Sequence, residues 1–202
     1  MRKVLLYAPG GARNVETRPM DIEFTRISKE FQETFGYVRQ DIESIRQANL
    51  GLNYTVVLLI CCACQMLAWH KDLTDDQVFT SLLPDGKPWS LLGKVIFEAL
   101  RNGLAHRFRP DTLRIGDELW RFSIFWQGGT PVSIARGNPN WLLMSAKFLE
   151  ESVIRRIDAY EQELREDARA RVKFLEKSQK CIREIPSQAG GVVTAWRTLA
   201  DG

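Results

Sequence analysis

The chain has 202 residues, enough for one sizeable domain with its own core or at most two small ones. Hydrophobic residues make up 45% and charged residues 26%, a globular balance that excludes an intrinsically disordered chain. The net charge of +3 permits nucleic-acid binding but does not require it, because proteins that bind nucleic acid electrostatically are usually more basic.

The N-terminal part of the chain divides into an arm and a helix. Residues 1–19 are rich in Gly, Pro and Arg, and their apolar run is shorter than the ~7–15 residues of a secretory signal, so we expect a loosely held arm. From residue 21 apolar residues recur at spacings of three and four, which predicts an amphipathic helix ending near Gly51. The apolar positions are Phe24, Ile27, Phe31, Phe35, Val38, Ile42 and Ile45.

The most apolar segment, residues 56–69, predicts a buried core helix that ends near Trp69. It is shorter than the ~20 residues of a membrane span, and Gln65 interrupts it. We therefore expect no membrane contact. Without a targeting segment, the expected location is the cytoplasm.

The four cysteines are best interpreted as small buried hydrophobic residues in a reducing compartment. Cys61, Cys62 and Cys64 lie too close together on one helix to form disulfides with each other. A zinc site would need a second cysteine pair, and Cys181 alone does not supply it. We expect no metal site and no cofactor.

Residues 70–88 contain turn residues and room for one short helix. Ser90 is the expected N-cap of the next helix. That helix is expected to end near Phe108, because Pro110 disfavours helical geometry at the residue before it.

The hydrophobic period changes to two after this helix. Residues 119–126 and 131–135 alternate around a glycine-containing turn, which predicts a β-hairpin. One face of the first strand carries aromatic and aliphatic residues, for which we favour packing against helices over base stacking: Trp120, Phe122, Ile124 and Trp126. The sequence therefore predicts a mostly α fold, a bundle of four to five helices with one inserted β-hairpin at about 119–135.

The C-terminal part is predicted to be one long helix. Asn138-Pro139 has the pattern of an N-cap followed by the first helical residue, and the apolar stripe extends to about Ile185, with a bend or break near 166–170. Residues 186–202 form a tail. The helical domain is therefore expected to span residues 20–185.

Polar residues share one side of the helix that ends near Phe108. At about 100° per residue, one arc collects Glu98, Arg101, Asn102, His106 and Arg109. The opposite arc collects the predicted core anchors Ile96, Phe97, Leu100, Leu104 and Phe108. Glu98, Asn102 and His106 follow each other at intervals of four, so either polar neighbour can orient the imidazole.

The hexapeptide Arg101-Asn102-Gly103-Leu104-Ala105-His106 resembles the R-x4-H motif of the HEPN family, in which a polar residue commonly follows the arginine. As a sequence motif the resemblance covers six residues, and as an order of helices it covers about 21–185. It implies a helical bundle that pairs into dimers. Many HEPN proteins are metal-independent ribonucleases of toxin–antitoxin, CRISPR and other defence or RNA-processing systems.

This resemblance implies cleavage of single-stranded RNA. His106 would serve as general acid or base, Arg101 would stabilise the scissile phosphate, and Asn102 would position His106 or the substrate. Glu98 would support the histidine, and Arg109 would bind the RNA backbone. Because the face carries only one histidine, a two-fold dimer is expected to bring two copies into one cleft.

Two alternatives remain open from the sequence. One is a catalytically inactive HEPN-like protein that binds RNA or acts as a scaffold, for which the charged helix at 140–185 suits partner contacts. The other is a solvated helix face with an incidental histidine. The expected partners are RNA, a second copy of the chain and a separate antitoxin or regulatory protein.

Overall fold

The computed structural model describes residues 19–47, 52–86, 88–126 and 132–180, and only the backbone of residues 19–23. The helices are α1 (Pro19–Phe31), α2 (Tyr37–Gln47), α3 (Asn53–Lys71), α4 (Asp75–Thr80), α5 (Trp89–Arg107), α6 (Ala146–Glu166) and α7 (Ala168–Lys180). The strands, all between α5 and α6, are β1 (Leu113–Ile115), β2 (Glu118–Phe125), β3 (Val132–Ala135) and β4 (Asn140–Ser145). The predicted fold class, mostly helical with an inserted β element, is confirmed.

The first amphipathic helix is continuous but contains a π-helical turn. Residues Gln32–Gly36 form this turn between α1 and α2, and the backbone stays right-handed helical on both sides of it. The predicted apolar stripe is buried at Ile27, Phe31, Phe35, Val38 and Ile42. The expected end of the helix near Gly51 lies outside the described residues.

Helix α3 is the central element and contacts α2, α4, α5, α6, α7 and β2. With 19 residues it is long and apolar enough to cross a membrane by length and composition alone. Half of its apolar 18-residue window is nevertheless buried inside the protein. The burial of nine of its residues confirms the predicted core helix. The sequence argument that the segment is too short to span a membrane was wrong, because the helix has 19 residues.

The cysteines of α3 do not share one environment. Cys61 and Cys64 are fully buried, as predicted, whereas Cys62 is exposed. The prediction was wrong for Cys62 because neighbouring residues on a helix point about 100° apart. Burial raises the pKa of the Cys64 thiol well above its usual range, which keeps this sulfur protonated and unreactive. Cys181 lies outside the described residues.

Helices α4 and α5 form a closely packed pair. A capping box of Thr74 and Gln77 starts α4, the short helix expected in this region. Gly93 of α5 lies against Thr80, whose Oγ1 would be 2.0 Å from a Cβ at that position. Helix α5 begins at Trp89, so Ser90 is inside the helix and is not its N-cap.

The sheet has the strand order β1-β2-β4-β3, and the predicted hairpin pairing was wrong. Strand β2 pairs in parallel with β4, and β3 pairs antiparallel to β4 on the other side. In the folded protein, burial alternates along β4 only over 140–144, and the sequence NWLLMS shows no polar–apolar alternation that separates it from the helical pattern that follows. Phe122 and Ile124 of β2 are buried in the core, which confirms the expected packing for these two. Trp126 is partly buried against the core, and Trp120 is partly exposed, so the expectation is not confirmed for Trp120.

The last helix begins later than predicted and breaks where predicted. Asn138-Pro139 is a cis peptide before β4 and does not cap a helix. Helix α6 instead follows β4 directly, and the Ser145 side chain accepts a hydrogen bond from the Phe148 N–H at 3.2 Å. Asp167 separates α6 from α7, inside the expected interval of 166–170. Residues 1–18 of the arm predicted at 1–19 and the tail at 186–202 lie outside the described residues, and Pro19 already begins α1.

Candidate functional site

Helix α5 has two distinct sides, as the sequence predicts. Ile96, Phe97, Leu100 and Leu104 are buried. Glu98, Arg101, Asn102 and His106 lie on the other side, where Arg101 is partly buried and the other three are exposed. Arg109 is also exposed, but it lies beyond the end of α5, so its predicted place on this helix side was wrong. The helix therefore presents these groups to solvent or to a partner rather than to the core.

Phe108 is the one predicted core anchor that the structure places elsewhere. Its side chain is 83% exposed, so the prediction was wrong for this residue. The backbone turns left-handed at Phe108, with φ of 55°, and the helix ends there. The helical spacing therefore no longer decides where the ring points. A bulky residue with positive φ is an outlier in proteins, and such outliers cluster at functional sites.

The polar groups of α5 are paired with each other rather than with the histidine. The Arg101 Nη1 donates to the Asn102 Oδ1 at 3.0 Å, and the Lys94 Nζ lies 4.0 Å from the Glu98 Oε1. Over the described ranges, the His106 side chain has no hydrogen-bond partner. Orientation of the imidazole by Glu98 or Asn102 therefore stays a prediction for an assembled site.

Arg101 lies near helix α3 as well as on α5. Burial, reinforced by Cys62, raises the pKa of the Cys61 thiol to about 12, and the positive charge of Arg101 opposes this rise. The guanidinium is therefore close enough to α3 to act on its side chains. In the part of the chain that the structure describes, no carboxylate forms an ion pair with Arg101.

The chain folds back along α5 after the helix ends. The Arg109 N–H donates to the Gly103 carbonyl at 3.4 Å, and the Asp111 N–H donates to the Ala99 carbonyl at 3.0 Å. A Cβ on Gly103 would lie 2.5 Å from the Asp111 nitrogen, so only glycine leaves room for this loop. Arg107 forms an ion pair with Asp111 across the same loop.

An open cleft lies between this loop, the start of α3 and the sheet. It has a volume of about 320 Å³ and is lined by Tyr54, Arg109, Pro110, Thr112, Arg121, Phe122 and Trp141; we call it the α5–β2 cleft. The Arg121 guanidinium carbon lies 5.9 Å from the centre of the Trp141 ring. A second cleft of about 390 Å³ shares Arg109, Pro110 and Thr112 with it.

Of the residues that line this cleft, only Arg109 was singled out from the sequence, as an expected RNA-binding residue; Tyr54, Arg121 and Trp141 were not. The outward position of Arg121 in an alternating strand was the one available signal. Tyr54 and Trp141 are far from it in sequence, and they join it only through the parallel pairing of β2 with β4 and the position of α3. Across the described segments, no group of three or more His, Cys, Asp or Glu side chains could hold a metal ion.

On α5, one copy of this site offers the imidazole of His106, the amide of Asn102 and the guanidinium of Arg101, which has no carboxylate partner among the described residues. Acid–base cleavage of RNA needs a base on the attacking oxygen and an acid on the leaving oxygen, which lie on opposite sides of the phosphorus. A single His106 cannot occupy both places at once. Comparisons with protein-family models, curated proteins and solved structures give no match to the chain.

Proposed function

We propose that the protein is a metal-independent endoribonuclease of HEPN type that cleaves single-stranded RNA as a homodimer. The observation that carries this proposal is the exposed imidazole of His106 on the polar arc of α5 that also carries Arg101. In the described ranges this imidazole has no hydrogen-bond partner. An unpaired imidazole is free to exchange protons with a substrate. An arginine without a carboxylate partner is free to bind phosphate.

The two copies of His106 would divide the proton transfers. One imidazole removes the proton from the 2′-hydroxyl, whose oxygen attacks the adjacent phosphorus and forms the cyclic phosphate. The other imidazole protonates the 5′-oxygen as the bond from phosphorus to that oxygen breaks. Arg101 stabilises the charge on the pentacoordinate phosphorus, and Asn102 holds the Arg101 guanidinium in place. The products carry a 2′,3′-cyclic phosphate and a 5′-hydroxyl.

Apolar side chains on α5 support the proposed dimer. Leu91 is 68% exposed and Val95 is 40% exposed, and both precede Asn102 and His106 along one side of the helix. Phe108 adds an exposed ring just after the histidine. Large exposed apolar side chains that lie together mark interaction surfaces. A two-fold contact on this side would cover Leu91 and Val95 and bring both His106 residues to one interface.

The proposed activity also implies where the protein acts and how it is restrained. A nuclease that cuts single-stranded RNA meets its substrate in the cytoplasm and damages the cell unless it is controlled. We therefore propose a cytoplasmic toxin or defence effector held in check by a separate antitoxin or regulatory protein.

The test is cleavage of end-labelled single-stranded RNA in EDTA by the wild type and by His106→Ala, Arg101→Ala and Asn102→Ala. Arg169→Ala is the matched control, because Arg169 is exposed on α7 and its guanidinium has no carboxylate partner over the described residues; only its backbone N–H donates to Asp167. We expect His106→Ala and Arg101→Ala to reduce the rate at least a hundredfold. Undiminished cleavage by both variants would rule out this site. Mass spectrometry of the fragments checks for cyclic phosphate ends.

The α5–β2 cleft favours a second candidate, an RNA-binding or scaffold protein without nuclease activity. Its arginines and aromatic rings are groups that bind RNA without His106. A dimer that binds RNA but leaves it intact at every protein concentration would favour this candidate.

A further inference from the structure

We propose that the α5–β2 cleft is a nucleotide subsite, in which one nucleotide flanking the cleaved bond of a single-stranded RNA is bound by phosphate contact and base stacking. The choice of RNA as ligand rests on the proposed function. The cleft itself is defined by residues outside the hexapeptide 101–106, and it offers cations, ring faces and space together.

The charge of the cleft favours a phosphate group. Arg109 and Arg121 both line it, and none of the described lining residues is acidic. The nearest acidic residue in sequence, Asp111, is ion-paired with Arg107. Neither cleft arginine has a carboxylate partner among the described side chains. Two guanidinium groups without counter-charges form a site for a phosphate, which accepts two parallel hydrogen bonds from each fork.

The aromatic side chains favour an unpaired base. Tyr54 is 39% exposed, and Trp141 is partly exposed beside it in the cleft wall. The Arg121 guanidinium already lies over the Trp141 ring and adds a second planar surface. Single-stranded bases are recognised by stacking on aromatic rings and on arginine planes, and every base has such a face. The pairing of rings with arginines therefore indicates single-stranded nucleic acid rather than a simple anion.

Backbone pairing and a hydrogen bond between α3 and β2 hold the walls of the cleft in place. Arg121 and Trp141 are directly paired residues of the parallel strands β2 and β4. The Asn53 side chain donates to the Ile124 carbonyl of β2 at 3.3 Å, which holds the start of α3, and with it Tyr54, against the sheet. The volume of about 320 Å³ is at the lower end of the range of ligand sites. A rigid, small site suits one nucleotide.

The cleft also lies on a path to the proposed catalytic groups. Arg109 follows His106 by three residues and is held against Gly103 by the loop that folds back on α5. On α3, Tyr54 precedes Cys61 by about 10 Å along the helix axis, and Arg101 lies near Cys61. An RNA strand along the boundary between α3 and α5 would therefore meet the cleft first and Arg101 next.

The test is the affinity of the full chain for a fluorescein-labelled 2′-O-methyl RNA, which lacks the nucleophile and cannot be cleaved by this chemistry. We expect Tyr54→Ala to weaken binding about tenfold and Tyr54→Phe to bind like the wild type, because stacking needs the ring and not the hydroxyl. We expect Arg121→Ala to lower the slope of log affinity against log salt by about 0.7, the value for one phosphate contact with a single strand. Arg169→Ala, the charge-matched control on α7, should leave affinity and slope unchanged.

The outcomes separate this inference from the proposed nuclease. Wild-type affinity and salt slope in both Tyr54→Ala and Arg121→Ala overturn the subsite and leave the cleavage proposal standing. Loss of binding in these variants, with no RNA cleavage by the wild type, supports the subsite and refutes catalysis. Absence of RNA binding by the wild type overturns the subsite. Circular dichroism verifies folding, and Arg121→Lys, an exposed substitution that keeps the charge but loses the planar fork, replaces any variant that unfolds.

Discussion

Gly103 and Arg109 are in direct backbone contact, with the Arg109 carbonyl oxygen 2.4 Å from the place where a Cβ on Gly103 would lie. The contact explains a residue of the hexapeptide that has no chemistry of its own. Glycine at 103 lets the chain return along α5, and this return places Arg109 in the wall of the α5–β2 cleft. The glycine is therefore tied to the position of an arginine and not to the histidine.

Gly103→Ala is expected to destabilise the protein by about 1–3 kcal/mol, because the added methyl group must push the loop away. The sign is diagnostic, because alanine ordinarily stabilises a helix interior by about 1 kcal/mol relative to glycine. Urea unfolding measures the change, and the same variant should bind RNA more weakly. Ala105→Gly, an exposed change on the same helix, should cost at most about 1 kcal/mol. A more stable Gly103→Ala would contradict the contact.

At Phe108 we expect one substitution to raise the stability of the fold and to lower the rate of RNA cleavage. Phe108→Asn is expected to stabilise the fold by about 1 kcal/mol, because asparagine tolerates positive φ better than other residues. The same change removes the exposed ring and should slow RNA cleavage. Phe108→Ala is the matched control: it also removes the ring but keeps an unfavourable backbone, so activity should fall without a gain in stability. Equal stability of the two variants would argue against backbone strain at this position.

Leu91→Asp is expected to weaken the proposed dimer, because the change places a charge on the exposed apolar side of α5. Sedimentation equilibrium should show a dimer dissociation constant raised at least tenfold, and cleavage should fall most at low protein concentration. Val172→Asp is the matched control, since Val172 is also largely exposed but lies on α7. A wild type that stays monomeric at high concentration would refute the dimer.

His70 predicts a pH dependence of stability. Its ring lies 4.8 Å from the Phe174 ring, and over the described residues the buried Nδ1 has no partner. Burial, assisted by the charge of Lys177, lowers the pKa of His70 to about 4. The unfolded chain therefore binds more protons than the folded one between about pH 6.5 and 4, so stability is present above this window and is lost as the pH falls through it.

The loss attributable to His70 is up to about 3 kcal/mol, since one pKa unit corresponds to about 1.4 kcal/mol. His70→Phe fills the same aromatic surroundings without a titrating group, and its stability should fall less across this window. Denaturation at a series of pH values for the two proteins isolates the His70 contribution, because the other titrating groups are common to both. Parallel curves would show that His70 does not protonate on unfolding.

The helical part of the fold could be predicted because its signals are local. The stripe from Ile27 to Ile42 and the break near Asp167 both follow from neighbours along the chain. Strand pairing could not be predicted in the same way. Which strand lies beside β2 depends on a parallel crossover, and only the tertiary structure decides that β4 and not β3 takes the place.

The candidate site divides along the same line. The side of α5 that carries His106 follows from counting residues on one helix, and three of its predicted residues, Glu98, Asn102 and His106, are exposed there. Arg109 lies beyond the helix end, where this counting no longer applies. The cleft beside it joins three distant stretches of chain, around Tyr54, Arg109 and Trp141, so no local pattern contains it. The predicted burial of Phe108 was wrong for a different reason, because its left-handed backbone ends the helix and the 100° spacing no longer applies.

The register of the parallel pairing between β2 and β4 fixes two functional positions at once. It pairs Arg121 with Trp141 at the cleft and, four residues further, Phe125 with Ser145, the residue that caps α6. Deleting one residue between Arg121 and Phe125 would leave only one of the two pairs in register, because every side chain beyond the deletion turns to the opposite side of the sheet. Insertions inside either strand would break this register in the same way, so peptide tags and sensor modules belong outside Glu118–Phe125 and Asn140–Ser145.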